Sequence, residues 1–96
     1  MFPKKLTTIA HIHNETQREM RLHLEMIGAE IVLSPGHAVE LLASPSNELL
    51  PVTIDYLEHG LQIHPYKEFD PNWHIRFKGK LIPAGYPTVL ADYEAD

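Results

Sequence analysis

From residue 20 to residue 26 apolar and polar positions alternate without a break. Met20, Leu22, Leu24 and Met26 fall on one side, and Arg21, His23 and Glu25 on the other. A period of two is that of a half-buried β-strand, whose successive side chains point to opposite faces. The same alternation returns over 52–56, 61–64 and 73–78, while 30–33 and 38–42 are compact apolar runs suited to strands covered on both faces. Between these runs, Ser34-Pro35-Gly36-His37 has the proline and glycine positions of a type II turn. Glu58-His59-Gly60 and Phe77-Lys78-Gly79-Lys80 place glycine between short apolar runs, as tight hairpins do, and Gly28 sits where the 20–26 strand ends. A helix capped at Asn14-Glu15-Thr16-Gln17 and closed by Gly28 competes for the first segment, as does one opened by Ser34-Pro35 for the second. On such a helix Met20, Leu22, Leu24 and Met26 would spread around the whole cylinder, whereas a strand gathers them on one face. Turn signals about every 8–12 residues predict an all-β fold. The expected architecture is a small antiparallel sandwich or barrel of about seven to eight short strands, with α+β as the alternative. Residues 44–48 and 65–72 read as loops. Residues 1–96 read as one β domain, with 83–96 as a C-terminal arm or edge strand.

The order Leu22-x-Leu24-Glu25, Leu33-x-Pro35-Gly36, Val39-Glu40-Leu41, then Ile54-Asp55-Tyr56, Gly60-Leu61-x-Ile63 and Phe77-x-Gly79 resembles small uncharacterised bacterial β-sandwich proteins across residues 9–82. That resemblance implies a fold and no activity.

At 96 residues the chain has room for one core, and such a domain buries about 60–65% of the surface its unfolded chain exposes. A second copy or a partner would strengthen so thin a core. No apolar run approaches the roughly 20 residues of a membrane span, and no apolar stretch follows Lys4 and Lys5 to make a signal peptide. The expectation is therefore no membrane association. There is no cysteine, which removes thiol catalysis, disulfide scaffolds and iron–sulfur clusters and fits a reducing, cytoplasmic setting. A net charge of -5 argues against a broad nucleic-acid surface. Arg76, Lys78 and Lys80 near Trp73 and Phe77 imitate a basic aromatic strand, but strand alternation sends the rings inward and the charges outward, so no nucleic acid is expected.

Seven histidines stand against eight lysines and arginines. Alternation puts His23, His64 and His74 opposite their apolar neighbours, and His11 and His13 together on one face of the first strand. Solvated surface histidines, with no catalytic residue and no cofactor, are the leading reading. The alternative groups His11, His13, His23 and His74 as ligands of a divalent transition metal, with Glu25 or Glu19 as a carboxylate, provided their strands are neighbours in one sheet. His11-x-His13 followed by Glu19 is similar to the first metal motif of the cupin β-barrels, although the spacing to Glu19 is longer and the preceding glycine is missing. That resemblance implies a metal-binding barrel with room for enzymatic activity. Ile9, Leu42, Leu57, Tyr86, Val89, Leu90 and Tyr93 are apolar positions that the core pattern does not need. The function expected from them is a non-catalytic binding or structural module that self-associates into a homo-oligomer or docks a protein partner.

Overall fold

Each alternating segment becomes a strand, and each turn signal a break between strands. The computed structural model describes residues 5–85 and 87–94. Among them nine strands follow one another: β1 (Thr7–His13), β2 (Met20–Leu24), β3 (Ala29–Leu33), β4 (Ala38–Ala43), β5 (Thr53–Leu57), β6 (Gly60–His64), β7 (His74–Phe77), β8 (Lys80–Pro83) and β9 (Thr88–Val89). One turn of 3-10 helix, Leu90–Tyr93, ends the described chain. The turn chemistry is as the residues require. Gly36 at φ +85° supplies the left-handed third position between Ser34 and His37, whose N–H donates to the Ser34 carbonyl at 3.0 Å. Lys78 and Gly79 both take positive φ between the paired Phe77 and Lys80, the geometry of a type I′ hairpin.

The strands form two sheets, in the orders β1-β4-β7-β8 and β5-β6-β2-β3-β9. The expected all-β sandwich is what forms, but it is not purely antiparallel. β6 runs parallel to β2 (Arg21 against Gly60) and β9 parallel to β3 (Ile31 against Thr88). Periodicity fixes which face of a strand is buried and carries nothing about its direction. Here the chain leaves the second sheet after β3, builds β4 in the first, and returns to lay the β5–β6 hairpin beside β2.

The inward faces meet in one core. Leu22, Leu24, Ile31, Leu33 and Ile63 come from the second sheet, and Val39, Leu41, Ile75, Phe77 and Ile82 from the first. Trp73, just before β7, ties the layers together: its ring is buried and its Nε1 donates to the Glu25 carbonyl at 2.7 Å. Asn14 is also fully buried and braces two turns. Its Nδ2 donates to the carbonyls of Arg18 (2.8 Å) and Leu33 (3.0 Å), while its Oδ1 accepts from the Thr16 N–H and hydroxyl.

The C-terminal segment belongs to the fold. Thr88–Val89 closes the β3 edge, Leu90 is fully buried, and the Glu94 carboxylate is hydrogen-bonded to Nε2 of His37. His37 Nδ1 accepts the Ser34 N–H at 2.9 Å, so in the neutral imidazole it is Nε2–H that faces Glu94. Leu90 and Val89 are therefore core and edge residues and not spare surface. Leu42 is likewise buried and Ile9 packs against the core; Tyr86 lies outside the described residues.

A candidate contact site at the open side of the sandwich

The second sheet has one strand more than the first, and the surplus emerges at β5. Alternation predicts that Val52, Ile54 and Tyr56 form its inward face. They do point the same way as the buried Ile63 and the half-buried Leu61, with which Ile54 and Tyr56 pair. Yet all five residues of β5 are exposed, Ile54 to 41%, Leu57 to 42% and Tyr56 to 87%. The apolar face is real, but beside it the first sheet has already ended at β1.

A groove of about 430 Å³ opens between the two edge strands, floored by Ala10 and Ile12 of β1, Met20 and Leu61, with Ile54 and Tyr56 on the far wall. Past Tyr56 a second cleft, about 610 Å³, continues between residues 16–20 and the β5–β6 hairpin. Tyr56 stands between the two. Apolar surface in a concave strip rimmed by polar residues is the usual mark of a contact surface. The β5 edge adds a row of backbone N–H and C=O groups on its open side. No proline, lysine or bulge interrupts Thr53–Leu57, and Asp55 is its one charged side chain.

The four candidate metal ligands do not converge. His11 and His13 lie on the outer face of β1 and His74 on that of β7, with β4 between them. His23 is on the outer face of β2, in the other sheet. The condition that their strands be neighbours in one sheet is not met. Each histidine has other company. His13 Nδ1 is 3.1 Å from Glu15, His74 Nδ1 is 2.8 Å from the Asn72 carbonyl, and His23 Nδ1 is 3.9 Å from Glu30. His11 faces Glu40, which takes hydrogen bonds from the Thr8 hydroxyl and from Arg76 at 3.1 Å. The Thr8 hydroxyl does most to hold the Glu40 carboxyl below its ordinary range; burial opposes it next, and Arg76 and then His11 add to the lowering. Glu19 pairs with Arg21 at 3.2 Å and Glu25 takes a hydrogen bond from Gln62 at 2.9 Å. Among the described residues no group of three or more such side chains is arranged to hold a metal ion.

A second polar belt crosses the outer face of the five-stranded sheet, where Asp55, Gln62, His23 and Glu30 form one row. Glu30 is nearly buried and is paired by Arg21 at 3.2 Å; Glu30 and Glu19 together push the Arg21 guanidinium further up. His64 Nε2 stands 3.4 Å from Asp55 on β5 itself. Trp73 and Phe77 are buried, so they offer no stacking platform beside Arg76 and Lys78. Among the described residues no helix is long and apolar enough to cross a membrane.

Sequence reasoning missed the groove, because alternation alone marks Ile54 and Tyr56 as covered. One signal was present: Leu57, on the opposite face, was already an apolar residue without a core to enter. Compared with known proteins, the chain matches no family model, and no curated protein and no solved structure matches it.

Proposed function

We propose that this protein is a non-catalytic binding or structural module that self-associates, and that the contact is carried by the β5 edge and the groove beside it. The observation that supports this reading is an edge strand whose apolar residues Ile54, Tyr56 and Leu57 are all exposed. A small domain loses little by leaving one large side chain in water. Leaving three on a bare strand edge invites aggregation unless something covers them. The reading gives the chain no chemistry of its own and no cofactor, and assigns it to the cytoplasm, a reducing setting with which a cysteine-free sequence is compatible. Of the spare apolar positions it keeps Leu57 on β5 and sets aside Val89 and Leu90, which the far edge of the same sheet and the core already use.

Light-scattering mass across a concentration series tests it. The wild-type chain is expected as a dimer or larger at micromolar concentration. The double variant Ile54→Thr with Tyr56→Thr keeps β-propensity and removes the apolar surface, and is expected as a folded monomer with the wild-type far-ultraviolet circular dichroism and a melting temperature lower by what association supplies. A wild-type chain that stays monomeric throughout the series would defeat the reading.

A further inference from the structure

We infer that the occupant of the β5 edge is β5 of a second copy, running antiparallel about a two-fold axis at Asp55, so that two five-stranded sheets become one sheet of ten. This rests on the self-association proposed above and specifies its geometry.

The strand is complementary to itself. Thr53-Ile54-Asp55-Tyr56-Leu57 has the same arrangement of faces read from either end, with Ile54 and Tyr56 inward and Thr53, Asp55 and Leu57 outward. With the axis at Asp55, Ile54 lies against the partner's Tyr56, Thr53 against the partner's Leu57, and Asp55 against the partner's Asp55. All five strand residues are then paired. Moving the axis to Ile54 or Tyr56 leaves only three of the five paired. Placing it between two residues sets an inward side chain against an outward one, which the pleat forbids in a continuous sheet.

The one unfavourable contact in this register is the carboxylate pair at the axis, where facing residues bring their Cβ atoms within about 4.5–5.5 Å. Each Asp55 already has its own histidine, with His64 Nε2 at 3.4 Å, so two imidazoles accompany the two carboxylates. The flanking groups on the same face are Gln62, which is neutral, and then His23 beside Glu30. On the inward face the arriving Ile54 and Tyr56 of the partner extend the apolar wall over the mouth of the groove, above Ile12 and Met20. That matters for size. A stable dimer covers about 800 Å² on each copy, more than a strand pair about 17 Å long provides, so the pairing requires the walls of the groove to be covered as well.

Engineered cysteines read the register directly, because the chain has none of its own. Residues that face each other across the axis reach disulfide distance; residues two positions out of register do not. Under mild oxidation Asp55→Cys is expected to cross-link to itself, at least about tenfold more than Ile54→Cys or Tyr56→Cys alone. The pair Thr53→Cys with Leu57→Cys, which keeps Asp55 and the inward Ile54 and Tyr56, is expected to close efficiently and serves if Asp55→Cys perturbs the strand. Self-linking at Ile54→Cys or Tyr56→Cys instead would overturn this register and leave self-association standing. A dimer by mass in which no β5 cysteine cross-links would overturn β5 as the contact. A monomer by mass would remove both the geometry and the reading beneath it.

Discussion

Two polar residues illustrate how single side chains hold this sandwich. Asn14 satisfies the Leu33 and Arg18 carbonyls and the Thr16 N–H from a site with no access to water. Asn14→Ala leaves buried groups unpaired and is expected to cost about 2–4 kcal/mol in urea unfolding. Asn14→Asp keeps the acceptor for Thr16 and loses the donor, so it separates the two halves of the role. Glu40 acts through its charge. Its folded carboxyl is held below the ordinary 4.5, so the stability it adds is fully present above that value and is lost as the pH falls through the lowered folded one. The melting temperatures of wild type and Glu40→Gln are therefore expected to differ at pH 7 and to draw together as the pH falls from 4.5 through the lowered folded value. A constant gap down to pH 3 would mean that the Thr8 and Arg76 bonds do not depend on the carboxylate charge. The histidines show the limit of residue-level reading. Alternation placed His11, His13, His23 and His74 on outward faces, but only strand order decides whether outward residues meet.

At the scale of the element, the clearest constraint is Gly60. A Cβ there would lie 1.8 Å from the Arg21 carbonyl oxygen, in backbone that cannot step aside without opening the parallel β2–β6 pair. Gly60→Ala is expected to cost more than about 3 kcal/mol, whereas Gly79→Ala, at φ +81° with open space around it, carries only the left-handed penalty of about 1–2 kcal/mol. Denaturation followed by far-ultraviolet circular dichroism distinguishes them, and equal losses would contradict the close approach. Strands and turns were legible because period-two alternation and glycine placement are local properties. The helix that competed for 20–27 failed for the reason the sequence contains, four apolar residues at every second position. β5 was legible as a strand and illegible as an edge: nothing in Val52-Thr53-Ile54-Asp55-Tyr56 records that the opposing sheet stops one strand short.

At the scale of the molecule, that mismatch of four strands against five is what leaves the apolar face of β5 uncovered. Equal sheets would have covered Ile54 and Tyr56. The parallel pairs are a whole-molecule property as well, produced by the excursion to β4 and by the return of the C-terminal segment to β3. The linkage between the layers has an optical consequence. Trp73 is the only tryptophan, its indole is shielded from water, and its N–H is spent on a carbonyl of the opposite sheet. Its emission should therefore lie toward the blue while the layers are joined and move to the red when they part. Fraying at β5 that leaves the Glu25 N–H on the Ile63 carbonyl should leave the colour unchanged, so the chain carries its own lamp for layer separation.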